Sequence, residues 1–222
     1  MTKNATNRKQ ILLVDDQPVM RHGLACLIDA ETDLMTLGAA GTGAQALNHA
    51  AARRPDLVLT EIFLPDRSGI ALIKDFQVFQ PDLPVLVFSV QEEALYVERV
   101  LRVGGRGYIM KREGGQQVIQ AIRHVLAGNI YLCEKMSGKI LEVFSGRRAA
   151  VSNSPLELLS SREFEVFEHI GKGLGTRDIA QRLHISVKTV EVHRANIKRK
   201  LRLKGPTDMV RSAVRWFELG AS

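Results

Sequence analysis

The sequence predicts an α/β fold followed by a small all-α domain. Three observations predict it. Five short apolar runs alternate with amphipathic stretches through the first half of the 222 residues. Beyond residue 156 no strand pattern occurs, and four short helical segments follow one another. Between the two regions lies SGRRAAVSNSP (residues 145–155), which is polar, basic and rich in small residues, the composition of a linker.

The apolar runs are ILLV (11–14), LMTLGA (34–39), LVLT (57–60), VLVFS (85–89) and GYIM (107–110). Their apolar character is continuous, so they predict parallel strands covered on both faces. The first amphipathic stretch, 18–30, carries Val19, Leu24, Leu27 and Ile28 at helical spacing. Residues 43–52 carry Ala46, Leu47 and Ala50, and residues 69–79 carry Ile70, Leu72, Ile73 and Phe76. Residues 94–103 and 116–126 continue the pattern. Five βα units of this length predict a doubly wound, flavodoxin-like domain on a five-stranded parallel sheet. The run 130–144 predicts one more helix. The second domain is predicted from helices at 161–172, 176–183, 187–203 and 207–219. Ser160 and Glu163 have the spacing of a capping box at the first of these. Ser186 precedes the third, and Thr207 or Gly205–Pro206 marks the fourth. The expected division is 8–130, a linker helix and linker at 131–155, and 156–222.

The net charge of +7 is unevenly spread. Residues 1–135 are neutral, with 15 basic and 15 acidic side chains, whereas residues 152–222 hold 13 basic against eight acidic. A neutral body with a basic end points to a polyanion as the partner of that end. No apolar run approaches the roughly 20 residues that span a bilayer. The opening MTKNATNRKQ is polar, with no apolar signal region after it. A cytoplasmic protein without a membrane partner is expected. Cys26 and Cys133 sit in apolar surroundings without metal or redox spacing, and are expected to be core filler on helices.

In a parallel sheet of this kind, ligands bind beyond the carboxyl ends of the strands. Asp15 and Asp16 end the first strand, Glu61 follows the third, Ser89 ends the fourth and Lys111 follows the fifth. Three crowded carboxylates repel one another, and a hard cation such as Mg²⁺ relieves that. A hydroxyl and an ammonium beside them suit the oxygens of a phosphoryl group. This arrangement, DD, then an acid followed by I-x-L-P-x-x-x-G, then a strand ending in serine, then G-Y-x-x-K, resembles the receiver domain of bacterial response regulators. The resemblance covers residues 11 to about 126. It implies that Asp15 and Asp16 belong to a metal-binding pair and that Ser89 and Lys111 bind the phosphoryl group. It also implies that Tyr108 is the aromatic that swings inward on activation.

The departure is Glu61, which stands where that family normally has a phosphate-accepting aspartate. The extra methylene shifts the carboxylate by about 1 Å, enough to cost roughly a hundredfold in an in-line attack. The longer arm also reaches toward Lys111 and Ser89, where phosphoryl oxygens would sit, in partial imitation of the phosphorylated state. Three readings follow: a receiver that works without phosphorylation, a pocket kept only as a dimerisation scaffold, or a receiver that takes phosphate at Asp66 or Asp56. The alternative for Asp56 is a strand-entry turn residue, and for Asp66 a loop acid capping the next helix. Mg²⁺ is expected to bind weakly at Asp15, Asp16 and Glu61.

The basic end contains LSSREFEVFEHIGKGLGTRDIAQRLHISVKTVEVHRANIKRKL. Two helices separated by the three-residue turn HIS, with Ile179, Leu183, Ile185, Val190 and Ile197 facing inward, have the geometry of a helix-turn-helix. The motifs S-x-R-E-x-E-V, D-I-A-x-x-L-x-I-S-x-x-T-V-E-x-H-R and I-x-x-K-L resemble the LuxR-type DNA-binding domain. The whole chain is similar to NarL/FixJ-type response regulators. By position, Glu191, Val192 and Ala195 project into the major groove, Glu191 toward a cytosine amino group and Val192 toward a thymine methyl. Lys188, Thr189, Arg194, Asn196, Lys198, Arg199 and Lys200 are the candidate phosphate contacts, which supply salt-dependent affinity without choosing sequence. His193 is expected to pack or to touch backbone.

The expected function is transcription regulation as a homodimer on double-stranded DNA, by binding and not by catalysis. The alternatives are an antagonist that pairs with other regulators and a regulator still phosphorylated by a sensor kinase. An intact reading helix argues against the antagonist. The sequence identifies neither a kinase nor the regulated genes.

Overall fold

In the computed structural model of the chain, residues 8–90, 94–133, 136–138, 155–183 and 185–219 are described. They fall into two compact units, divided near residue 137.

The first unit is a parallel sheet wrapped by helices. Its strands are β1 (Lys9–Val14), β2 (Leu34–Ala40), β3 (Leu57–Thr60), β4 (Val85–Ser89), β5 (Gly107–Met110) and β6 (Tyr131–Leu132), in the order β2-β1-β3-β4-β5-β6. The helices are α1 (Pro18–Asp29), α2 (Gly43–Arg53), α3 (Gly69–Phe79), α4 (Ala94–Arg102) and α5 (Gly115–Leu126). Alternate strand residues face opposite sides. Ile11, Leu13, Leu57, Leu59, Leu86, Phe88 and Ile109 form one core with Leu24 and Ile28 of α1 and Val118, Ile122 and Val125 of α5. Helix α2 packs on β1 and β2 and touches α3; α2 buries Ala46 and Ala50, and α3 buries Leu72, Ile73 and Phe76.

The five predicted strands are present, and the sheet has a sixth. Tyr131 and Leu132 pair with Gly107 and Tyr108, so the start of the expected 130–144 helix is instead an edge strand. The sheet unit therefore runs past residue 130, and β5 is an interior strand. The expected linker, 145–155, lies almost wholly outside the described residues. The cysteines also differ from expectation. Cys26 is exposed on α1, and Cys133 is half-buried just after β6, outside any helix.

The second unit holds α6 (Ser161–Gly171), α7 (Thr176–Arg182), α8 (Val187–Lys200) and α9 (Pro206–Leu219), preceded by a 3-10 turn at Pro155–Leu158. The capping box closes α6: Ser160 Oγ accepts from the Glu163 N–H, and Glu163 Oε2 accepts from the Ser160 N–H at 2.7 Å. Ser186 caps α8 by accepting from the Thr189 N–H at 3.0 Å. Phe164, Phe167, Ile170, Ile179, Leu183, Val190, Ile197, Met209 and Ala213 make the core. Trp216 of α9 stacks edge-on against Phe164, with ring centroids 5.2 Å apart, which assigns it to this core.

Candidate functional sites

The parallel register levels the carboxyl ends of the central strands, pairing Val14 with Thr60 and Ser89 with Met110. Pairing continues one step past the strands. The Glu61 N–H donates to the Val14 carbonyl at 2.7 Å, and the Lys111 N–H to the Ser89 carbonyl at 2.8 Å. Asp15, Glu61, Ser89 and Lys111 thus come to one edge of the sheet, all from different strands.

Lys111 is the hub. Its Nζ lies 2.5 Å from Asp15 Oδ2 and 2.8 Å from Glu61 Oε2, with the lysine side chain only 6% exposed. The same ammonium stands 5.7 Å from the centroid of the Phe88 ring. Burial by itself pulls an ammonium's pKa down; the charges and hydrogen bonds of Glu61 and Asp15 outweigh it and hold Lys111 above its ordinary value. The other carboxylate oxygens are also engaged. Asp15 Oδ1 accepts from the Gln17 N–H at 2.8 Å, and Glu61 Oε1 from the Ile62 N–H at 2.6 Å.

The site was expected to hold Mg²⁺ weakly through Asp15, Asp16 and Glu61. The three carboxylates are not gathered around one point. Asp16 is exposed and apart from the cluster, and every oxygen of the other two carboxylates already has a protein donor. Among the described residues no group of three or more histidine, cysteine, aspartate or glutamate side chains is placed to hold a metal ion. The lysine ammonium supplies the positive charge that the two buried acids lack. Ser89 and Tyr108 are both buried, Tyr108 to 1% exposure.

The loop after Glu61 is pinned at both ends. Phe63 bridges to Ser68, and the Gly69 N–H donates to the Ile62 carbonyl at 2.7 Å. Gly69 permits that approach, since a Cβ there would lie 2.7 Å from the Glu61 carbonyl oxygen. Asp66 was expected to cap the following helix if it is structural. It caps the preceding one instead: its carboxylate accepts from the N–H groups of Gly43 and Ala44 at the start of α2. Burial would raise its pKa, but these two bonds and Arg67 hold it below the usual range. Ser68 caps α3. Asp56 holds Lys9 and the Gln10 N–H at 2.8 Å each, as a strand-entry residue does.

In the second unit, α7 and α8 form the expected helix pair, with Val190 and Ile197 inward. His184 of the turn lies outside the described residues. Lys188, Glu191, Val192, Ala195, Lys198 and Arg199 are exposed. Val192 is 53% exposed, an apolar side chain offered to solvent on a basic helix. Arg194 and Asn196 are half-buried, and Asn196 Oδ1 accepts from Arg199 at 3.2 Å. Thr189 is half-buried in the Ser186 cap. Val187, 41% exposed, adds a second outward valine that helical spacing did not mark. The Nδ1 of His193 is buried, in keeping with a packing role.

Lys200, expected as a phosphate contact, has a partner within the fold. Its Nζ is 2.6 Å from Glu163 Oε2 of α6. Sequence spacing marked Glu163 as a capping residue and carried no signal for this second partner. Arg162 makes a further tie, donating to the Leu183 carbonyl and to Glu165 at 2.6 and 2.7 Å.

Comparison with known proteins agrees with both halves. Residues 11–123 match the response regulator receiver domain, and residues 157–213 match the bacterial regulatory proteins of the luxR family. The oxygen regulatory protein NreC of Staphylococcus carnosus (strain TM300) is 32% identical over 210 residues, covering 93% of this chain and 97% of that protein. NreC of Staphylococcus aureus (strain MRSA252) is 31% identical with the same coverage. Among solved structures, RcsB from Salmonella enterica serovar Typhimurium, bound to promoter rprA with phosphomimetic BeF3-, superposes with a TM-score of 0.70. It is 19% identical, covers 92% of this chain and 98% of its own, and attests the fold. The response regulator ChrA of a heme-sensing two-component system is 25% identical, covering 96% of this chain and 98% of its own, with a TM-score of 0.52.

Proposed function

Because the chain belongs to the bacterial response regulators with a LuxR-type output domain, we propose that it regulates transcription through a receiver set by a permanent carboxylate, not by a phosphoryl group. DNA binding and transcription regulation come with the family; the phosphorylation-independent receiver is the finer reading. The observation that carries it is the 2.8 Å contact between Glu61 Oε2 and Lys111 Nζ. The lysine expected to hold a phosphoryl group already holds a carboxylate. A glutamate so engaged is a poor nucleophile, and its extra methylene displaces it by about 1 Å from where in-line attack needs it. Burial of Tyr108 supports a receiver held in the inward arrangement.

The second unit does the binding. Glu191, Val192 and Ala195 on the exposed face of α8 read base edges in the major groove, and Lys188, Lys198 and Arg199 contact phosphates. A homodimer places two such helices about one DNA turn apart. An intact, exposed reading face favours this over an antagonist that never touches promoters. No helix among the described residues is long and apolar enough to cross a membrane, and work on DNA assigns the protein to the cytoplasm.

The deciding experiment compares the wild-type chain with Glu61→Asp and Glu61→Ala, each with and without acetyl phosphate. Expected is no acyl phosphate on the wild type, and DNA affinity and dimer fraction indifferent to the donor. Glu61→Asp is expected to gain both the adduct and a response. Stoichiometric labelling of Glu61 itself would overturn the proposal.

A further inference from the structure

We propose that Lys200 is a positioning residue: it locks the last turn of α8 to α6 and makes no contact with DNA phosphate. The proposal rests on the DNA-binding reading above and assigns one cation of the basic helix a different task.

The last turn of α8 offers three consecutive cations, Lys198, Arg199 and Lys200. Lys198 and Arg199 are exposed, whereas Lys200 turns back to Glu163, a residue only 4% exposed. The oxygen that Lys200 grips, Glu163 Oε2, also accepts the Ser160 N–H that closes the start of α6. One carboxylate oxygen therefore joins the first turn of α6 to the last turn of α8, across 37 positions of sequence.

Reaching for a phosphate would strip Glu163 of its counter-ion and leave a buried carboxylate held by Ser160 alone. Uncompensated buried charge is costly, while one more phosphate contact mostly exchanges a lysine's counter-ions for those of DNA. The clamp wins that comparison.

Its consequence is geometric. Arg162 ties α6 to the Leu183 carbonyl at the end of α7, so α6 grips the helix pair at the turn between its members and at the far end of α8. Val190 and Ile197 bury α8 through apolar contacts, which are non-directional and tolerate rolling. The ion pair fixes the roll. Base contacts by Val192 and Ala195 need that fixed angle, whereas contacts between flexible cations and phosphates do not.

The test uses the full-length chain and two probes: a mixed-sequence duplex, and the duplex that the wild type selects from a randomised pool. Affinity is measured across a KCl series. Lys198→Met is expected to lower the slope of log K against log salt by about 0.9, one phosphate contact. Lys200→Met is expected to keep the wild-type slope while its preference for the selected duplex falls about tenfold, the size of one lost base contact. Glu163→Gln, which retains an acceptor for the Ser160 N–H, is expected to show the same loss and to add nothing on the Lys200→Met background. Lys200→Arg, which can still pair, is expected to restore selectivity, an outcome that a folding defect alone would not give. A slope lowered in Lys200→Met as in Lys198→Met, or selectivity left intact, overturns the inference. A wild type that binds neither duplex in dilute salt overturns the DNA-binding reading, and the inference with it.

Discussion

The Lys111 ammonium lies between two buried acids, 2.8 Å from Glu61 and 2.5 Å from Asp15. Removing one partner leaves charge uncompensated in a site that water barely reaches. Glu61→Ala and Lys111→Met are each expected to destabilise the sheet unit by about 3 kcal/mol. Urea unfolding of the full chain, followed by a probe in that unit, measures it. The raised pKa of Lys111 sets the pH direction. The contribution is complete below the ordinary lysine value of 10.5 and fades as pH rises through the higher folded value. Equal stability of all three chains at neutral pH would contradict this account of the pocket.

Magnesium separates the same variants. In the wild type the ammonium neutralises the carboxylates, so millimolar Mg²⁺ is expected to leave the melting temperature unchanged. Lys111→Met exposes Asp15 and Glu61 to each other without a cation, and Mg²⁺ is expected to raise its melting temperature by mass action. KCl at matched ionic strength as a control distinguishes a specific hard-ion response from screening.

His169 makes the second unit sensitive to acid. Burial, and then the charges of Lys172, Arg182 and Arg162, depress its pKa from 6.5 to about 4. The unfolded chain takes up the proton first, so stability is full above about pH 6.5 and falls as pH drops toward about 4. The loss approaches about 3 kcal/mol across that window. His169→Leu is expected to flatten the profile. Glu163, whose pKa is held low by Lys200 and the Ser160 N–H against the upward pull of burial, acts in the same direction only below its ordinary 4.5. A wild-type melting temperature constant between neutral and mildly acid pH would refute the assignment.

Gly69 is needed for space. An added Cβ would stand 2.7 Å from the Glu61 carbonyl oxygen and 2.9 Å from Ile62 Cα, both backbone atoms that cannot swing aside. Gly69→Ala is expected to cost about 2 kcal/mol through overpacking. It should also disturb the Glu61–Lys111 contact, visible as a shifted Lys111 resonance. A variant as stable as the wild type would show that the loop relaxes freely.

Val192 gives a prediction on the nucleic acid side. A valine 53% exposed on a reading helix gains by covering a thymine methyl. Val192→Ala is expected to weaken the selected duplex by about 1 kcal/mol, with no change in salt slope. Replacing thymine by uracil at the contacted position should remove the same increment from the wild type and nothing further from Val192→Ala. Additive losses would place the contact elsewhere.

The sequence by itself determined the elements and the identity of the site residues. Continuous apolar runs located β1 to β5, four of them buried on both faces and β2 only half-buried at the sheet's edge, and the Ser160–Glu163 spacing located the start of α6. The short β6 escaped because two residues carry no period of their own; their pairing is set by the edge of β5. Tertiary structure alone decided the partners. Lys111 meets Asp15 across 96 positions, and Lys200 meets Glu163 across 37. Asp66 caps α2 instead of α3 because the loop folds back over the earlier helix. Periodicity and capping depend on neighbours in the chain, whereas which cation neutralises which acid depends on how distant segments are brought together. A sequence lists the charges; only the folded backbone fixes the distances over which they act.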